Sequence, residues 1–269
     1  MQLAGPNVFG APDDPVAAIA LLRAAVAAGV DHIDTAQYYG PDVVNDLIRE
    51  ALHPYPDGLS IVSKVAARRD QAGRVLPFDD PDQLRAGIEE NLRRLKVAQL
   101  AAVNLRLLGN GRVDARFDDQ LAAMVKARDD GLIAGVGLSN VTLEQLRHAL
   151  VGTEIVCVQN LFHIADRSDT PTLEECVRRG IAYVPFCPLG LPRGEENPVL
   201  NHPIVITTAN RLAMSPARIA LCWLLHTAPN ILLIPGTAAQ AHLRDNLAAD
   251  SAELDEQAIQ DLNGVDARR

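Results

Sequence analysis

Aromatic side chains are scarce, with Phe, Trp and Tyr making up 4% of a 269-residue chain that is 48% hydrophobic. A core with so few rings is filled by Ala, Val, Leu and Ile, as alternating helices and buried parallel strands require, which favours an α/β fold over a sandwich. Cysteine is scarce too: Cys157, Cys176, Cys187 and Cys222 lie far apart, without a C-x-x-C pair. That excludes a disulfide-stapled fold and fits packed thiols in a reducing cytoplasm. No run of about eighteen apolar residues occurs, and no basic segment followed by an apolar stretch opens the chain, so neither a spanning helix nor a secretory leader is expected. Basic residues are outnumbered, for a formal net charge of −9, and form no block that would hold a phosphate backbone, so nucleic acid is not an expected partner. The 7 histidines show no H-x-H or H-x-x-x-H spacing, which disfavours a metal site and a metal-dependent hydrolase.

What is present is a repeated alternation of short β-branched runs and amphipathic helices. Asp14-Pro15 reads as an N-cap with proline at the first helical position, ahead of the stripe Val16, Ile19, Leu22 and Val26 that stops at Gly29. Strands are expected at 30–34, 59–65, 99–104, 132–138, 154–159, 181–185 and 231–234. Helices start near Val43, at Asp80-Pro81, near Asp119, at Thr142 and Thr172 with capping-box spacing to Gln145 and Glu175, at Ser215-Pro216 and near His242. Met1 to Ala4 reads as the stub of a first strand. No linker divides the chain, so residues 1–269 are expected to form a single domain, a (β/α)8 barrel whose site lies at the strand C-termini. A doubly wound sheet is the alternative, but the first strand-to-helix turn has no G-x-G-x-x-G.

Strand-end polar residues therefore carry the functional reading. Asp34 ends one strand, Tyr39 follows five residues later, and Lys64 ends the next strand. Addition of hydride to a carbonyl leaves an alkoxide, which must be protonated by a group still carrying its proton at neutral pH. A tyrosine of ordinary pKa about 10 qualifies. A nearby ammonium is expected to lower that pKa, and a carboxylate holds the ammonium in place. Taken singly, Asp34 reads as a turn residue, Lys64 as a strand-end charge, and Asn104 as a buried amide satisfying backbone groups; Tyr38 reads as packing.

The strings DTAQYYG (34–40) and SKV (63–65) resemble the aldo-keto reductases. The resemblance continues in order through GVGLSN (135–140), VQN (158–160), VPFCPLG (184–190) and IPGTAAQAHLRDN (234–246). It implies a (β/α)8 barrel that reduces a small aldehyde or ketone with a nicotinamide cofactor, Asp34, Tyr39 and Lys64 filling three catalytic places. The fourth place, usually histidine, is Asn104, which still donates an N–H to a carbonyl oxygen but carries no proton near neutrality. By the same resemblance Ser139, Asn140 and Gln159 hold the nicotinamide carboxamide and Phe186 stacks on its ring. Leu189, Gly190, Gly236, Thr237, His242, Asp245 and Asn246 then surround the pyrophosphate and adenosine. Gly236 stands where many relatives have a lysine for the 2′-phosphate, so NADPH is expected with NADH as the alternative. The opening MQLAGPNVFG matches relatives beyond most of strand one, so the first strand is expected to be short or missing. Softer strings resemble bacterial pyridoxal reductases, which makes Arg106, His163 and Arg167 candidate contacts to such a substrate. The competing reading is a nicotinamide-binding redox-sensing or regulatory protein with little turnover; a barrel isomerase or lyase would need no nicotinamide.

Overall fold

The computed structural model describes residues 1–109, 111–191 and 196–265. They divide into two compact units, the first Met1–Val158 with Gly236–Ala238, the second Gln159–Pro235 with Ala239–Arg269.

In the first unit, α1 (Pro15–Ala27) starts where the Asp14 carboxylate accepts from the Ala17 N–H at 2.9 Å. It leads into β1 (His32–Asp34), α2 (Val43–Leu52), β2 (Ser60–Arg69), β3 (Val75–Phe78), α3 (Pro81–Leu95), β4 (Leu100–Arg106), α4 (Ala115–Asp129), β5 (Ile133–Ser139) and α5 (Leu143–Gly152), and then β6 (Cys157–Gln159) begins. β1, β2, β4 and β5 are neighbours in that order and pair in parallel. The helices cover the sheet with apolar stripes such as Leu84, Ile88 and Leu95 of α3. Of the two expected capping boxes the one at Thr142 with Gln145 is formed, and a further box forms at Asp80 with Gln83.

A chain of buried polar groups ties this frame together. The Thr35 hydroxyl donates to Asn45 Oδ1 at 2.8 Å, and Asn45 Nδ2 donates to Asn91 Oδ1 at 2.9 Å. Ser63 donates to the same Asn91 oxygen at 2.6 Å, and Asn91 Nδ2 reaches the Gly87 carbonyl at 2.7 Å. Thr35 and Ser63 immediately adjoin Asp34 and Lys64, so the network anchors the two strand ends that carry charge.

β2 runs past the expected end at Val65 to Arg69 and folds back into antiparallel β3. The turn is built by Asp70, whose carboxylate accepts from the Ala72 and Arg74 N–H groups, and by Gly73 at φ +79°. Met1–Ala4 is a turn, with the Ala4 N–H on the Met1 carbonyl, and no strand precedes β1 among the described residues.

In the second unit come α6 (Thr170–Arg179), β7 (Ala182–Tyr183), α7 (Pro203–Leu212), α8 (Pro216–Thr227), α9 (Gln240–Leu247) and α10 (Glu256–Asn263). Its core stacks Phe162 on Trp223, 6.2 Å between ring centroids, with Tyr183 edge-on to Phe162 at 5.8 Å. α6 begins at Thr170 after Asp169, earlier than the Thr172 box suggests, because Thr172 donates to the Asp169 carboxylate from inside the first turn. The expected strand at 231–234 is reduced to a single bridge between Ile231 and Tyr183. Among the described residues no helix is long and apolar enough to cross a membrane.

Candidate active site

The parallel register sets Lys64 of β2 beside Asn104 of β4, and Asn104 beside Gly137 of β5. Partners in register present their side chains on the same face of a sheet. The Lys64 ammonium is ion-paired to the Asp34 carboxylate and donates to the Thr35 carbonyl at 3.1 Å. The two charged side chains are only 4% and 7% exposed. Burial is the largest single influence and would lower the Lys64 pKa, but the Asp34 carboxylate, together with Tyr39 and Tyr38, more than offsets it and holds the ammonium above the ordinary lysine value.

Tyr39 lies beside this pair, its ring centroid 5.2 Å from Lys64 Nζ. The ammonium does pull the phenol pKa down, as the sequence chemistry anticipates. Burial is the larger effect, however, and the net shift is upward, so that expectation is corrected. The phenol accordingly holds its proton throughout the neutral range.

The loop bearing Tyr39 is clasped by the unforeseen extension of β2. Gln37 Nε2 donates to the Ala67 carbonyl at 3.0 Å, and Arg69 Nε donates to the Tyr38 carbonyl at 3.2 Å. Arg106, at the end of β4, donates to the Tyr38 hydroxyl at 2.8 Å. Gln37 and Arg69 escaped the sequence reading, and Arg106, read there as a substrate contact, is found on the Tyr38 hydroxyl; the D-x-x-G turn at Asp70 was the signal available for the hairpin.

Asn104 is fully buried. Its Oδ1 accepts from the Cys157 thiol at 3.3 Å, and its Nδ2 has no hydrogen-bond partner among the described residues. Leaving a buried amide N–H unpaired costs about 1–3 kcal/mol, so this donor is available to a ligand oxygen. Gly137 makes the space: a Cβ there would meet Asn104 Oδ1 and would lie 2.7 Å from the Cys157 sulfur.

The other expected positions fall as follows. In the first unit, Ser139 is buried at the end of β5, and Asn140 follows in the left-handed region at φ +57° with its amide on the Leu107 carbonyl. Gly236 is exposed next to Gln2, and Thr237 is half-buried. In the second unit, Gln159 is buried and Phe186 half-buried, its N–H on the Asn160 carbonyl. Leu189 precedes Gly190, whose φ of +76° and 2.9 Å approach of Val199 to a would-be Cβ leave no room for a side chain. His242 is exposed on α9; Asp245 accepts from Ser215 and from Arg218, the latter at 2.7 Å; and Asn246 reaches the Pro235 carbonyl at 3.4 Å. His163 is buried, and burial, opposed by Asp166, keeps its imidazole below the ordinary pKa and hence neutral at pH 7. Arg167 donates to the Asn263 and Val265 carbonyls and lies over Trp223, an engagement that anchors the end of α10.

A protonated phenol, an ion-paired ammonium and an unpaired amide donor at parallel strand ends define an oxidoreductase of the carbonyl-reducing class. The chain belongs to the aldo/keto reductase family, whose model it matches over residues 1–267. It is 44% identical over 268 residues to pyridoxine 4-dehydrogenase of Escherichia coli, covering 98% of this chain and 92% of that protein. Among solved structures it resembles the thermostable aldo-keto reductase Tm1743 in complex with epalrestat, at 28% identity and TM-score 0.77 over 92% of this chain and 86% of the other. It also resembles an aldo-keto reductase from Klebsiella pneumoniae in complex with NADPH, at 25% identity and TM-score 0.79 over 100% and 89%. The α/β barrel class expected from the sequence is therefore the fold of this chain.

Proposed function

We propose that this protein reduces a small aldehyde, of which an aromatic aldehyde such as pyridoxal is the leading candidate, to the alcohol at the expense of NADPH. The observation carrying this reading is the union of Asp34, Lys64 and Tyr39 with the unpaired, buried N–H of Asn104. The pyridoxal-class substrate follows from the 44% identity to the E. coli pyridoxine dehydrogenase, and NADPH from the Klebsiella complex.

The residues fit a nicotinamide cofactor in kind: Ser139 is a buried hydroxyl at the end of β5, Gln159 a buried amide at the end of β6, groups of the sort a carboxamide pairs with, and Phe186 offers a half-buried aromatic face. When bound, the cofactor supplies a hydride equivalent to the carbonyl carbon. Asn104 orients the carbonyl oxygen through its N–H, and Tyr39 Oη delivers the proton that this oxygen gains. Lys64 stabilises the charge left on the Tyr39 oxygen, and Asp34 holds Lys64. By the family resemblance Ser139, Asn140 and Gln159 are assigned to the carboxamide, Phe186 to the ring, and Leu189, Gly190, Gly236, Thr237, His242, Asp245 and Asn246 to the pyrophosphate and adenosine. Arg106 and His163 remain substrate contacts in this reading; Arg167 does not, because its guanidinium is engaged by the Asn263 and Val265 carbonyls at the end of α10. The four widely spaced cysteines suit a reducing cytoplasm.

A screen of NADPH oxidation over pyridoxal, benzaldehyde, short aliphatic aldehydes and quinones tests the reading. Steady consumption with pyridoxal is expected. Tight NADPH binding without turnover of any carbonyl would replace it with the regulatory one.

A further inference from the structure

Asn104 stands at the fourth catalytic place of a family that usually puts a histidine there, and an asparagine brings a difficulty that histidine does not. Its carboxamide has two faces of nearly equal size, one that donates and one that accepts. Only the donating face helps a carbonyl oxygen; the accepting face would repel it. Something in the fold has to choose between the two.

Among the described residues the Asn104 side chain has one hydrogen-bond partner, Cys157, whose Sγ lies 3.3 Å from Oδ1. Both residues are buried, at 0% and 7% exposure. Their backbones are set by neighbouring parallel strands, Asn104 through its register with Gly137, and Cys157 through the bond from the Val156 N–H to the Val136 carbonyl. Gly137, lying between them, has no side chain, so thiol and carboxamide meet directly. We propose that Cys157 is a positioning residue: its S–H donates to Asn104 Oδ1 and so commits Nδ2 to the substrate carbonyl.

A thiolate could not do this, and the site keeps the thiol intact. Burial, and after it the Asp34 carboxylate, pushes the Cys157 pKa up to about 12. Neutral sulfur is a poor acceptor, so the reversed amide would exchange an S–H···O bond for a weaker N–H···S contact while turning an oxygen toward the substrate's oxygen. The inference rests on reading Asn104 as the carbonyl-orienting donor, but the orienting contact itself is observable without turnover.

The test uses the full chain with Cys157→Val and Cys157→Ala, which remove the donor, and Cys157→Ser, which keeps one. The first readout is the pair of Asn104 side-chain amide protons in a ¹H–¹⁵N spectrum, assigned by its disappearance in Asn104→Ala. One sharp pair is expected in the parent and in Cys157→Ser, and a displaced or doubled pair in Cys157→Val and Cys157→Ala. The second is turnover of pyridoxal with NADPH. Oxyanion donors are worth about 10²–10³-fold, and a donor left in place but free to reverse should forfeit part of that, roughly tenfold in kcat, with the Kd for NADPH unchanged. Cys157→Ser should stay within about twofold of the parent, and Cys157→Val should cost nothing further in an Asn104→Ala background. An amide pair indifferent to Cys157→Val and Cys157→Ala overturns the proposal, as does an undiminished kcat loss when Asn104 is already gone. If the parent reduces no carbonyl, the proposed function fails, while the amide spectra still decide whether the thiol holds the amide.

Discussion

Arg106 Nη1 donates to the Tyr38 hydroxyl at 2.8 Å, whereas the adjoining Tyr39 ring stands beside the Lys64 ammonium and edge-on to Tyr38, 5.2 Å between ring centroids. Two phenols next to each other in sequence are thereby given different work: one is an acceptor for a guanidinium, the other sits with the buried ion pair. Tyr39→Phe should lower kcat for pyridoxal by about 10²–10⁴-fold, the usual worth of a general acid, with little change in NADPH affinity. Tyr38→Phe should cost less than about tenfold, since only a supporting hydrogen bond of about 1 kcal/mol is lost. Steady-state kinetics on the two variants separate them, and equal losses would contradict the assignment of the proton donor.

The Asp34–Lys64 pair makes stability sensitive to alkali. Both Lys64, held up by Asp34 against burial, and Tyr39, held up by burial, have folded-state pKa values above the ordinary ones. A group whose pKa is raised on folding binds its proton more tightly in the folded state, so its contribution is fully present below the unfolded pKa, about 10 for both residue types. It is lost as pH climbs from there through the folded value. Denaturant unfolding measured from pH 8 to pH 11 should therefore show stability falling above about pH 10, with a shallower fall in Tyr39→Phe. At neutral pH, Lys64→Met should destabilise by about 3–5 kcal/mol by stranding the buried Asp34 carboxylate, and Asp34→Asn in the same chain should restore part of it.

Asn91 offers a test away from the chemistry. Its Oδ1 takes hydrogen bonds from both Asn45 and Ser63, and its Nδ2 caps the Gly87 carbonyl, all buried. Asn91→Leu leaves the Asn45 and Ser63 donors without their acceptor, at about 1–3 kcal/mol each. A loss of roughly 2–5 kcal/mol in unfolding free energy is expected. Because Thr35 and Ser63 adjoin Asp34 and Lys64, kcat should also decline, by less than in Tyr39→Phe. A variant as stable as the parent would show that the network does not anchor the strand ends.

The contrast between these two kinds of residue explains how much could be read in advance. Asp34, Lys64 and Asn104 were legible because each follows a short apolar run, and the parallel register brings Lys64 and Asn104 side by side. Asp14 and Thr142 were legible because caps act over three residues. By contrast, β2 beyond Val65 is Ala-Ala-Arg-Arg, and β3 contains Pro77, which a central strand would not tolerate; an edge strand does, and that alternative is visible only once the turn at Asp70 is formed. Helix α7 begins at a His202-Pro203 start whose cap is an imidazole, outside the usual Ser, Thr, Asp and Asn set. Cys157 and Asn104 are 53 residues apart, and a contact of that kind leaves no local pattern at either position.

In the proposed cofactor site, cofactor choice is expected to depend on residues of α9. Gly236 offers no cation for a 2′-phosphate, while His242 and Arg244 are exposed on the helix that follows. NADPH should bind more tightly than NADH by a modest factor, and Arg244→Ala or His242→Ala should narrow the difference, each by about 1 kcal/mol or roughly fivefold, as an exposed charge contact allows. Fluorescence titration with both dinucleotides measures it. Equal Kd values in the parent would remove the role assigned to these side chains.

The sharpest structural test falls on Gly137. A methyl group there would collide with Asn104 Oδ1 and come within 2.7 Å of the Cys157 sulfur, and neither neighbour can withdraw easily, since both are buried on strands fixed in register. Overpacking of this kind costs about 1–3 kcal/mol, so Gly137→Ala should lower Tm measurably. Lost stability alone would not implicate the site, and the same strand supplies a control. At Gly135 a methyl group would approach the Val156 side chain at 2.7 Å, but Val156 is 37% exposed and is two residues removed from the Asn104 register. Gly135→Ala should therefore destabilise without a matching fall in kcat. Gly137→Ala should do both, because the carboxamide is pushed off its position beside Lys64. Adding Cys157→Ala to Gly137→Ala removes the sulfur from the collision while leaving the oxygen in it, so Tm should recover in part and kcat should not. A Gly137→Ala enzyme with parental kcat would mean that the position of Asn104 is immaterial to turnover, and the fourth catalytic place would have to be assigned elsewhere.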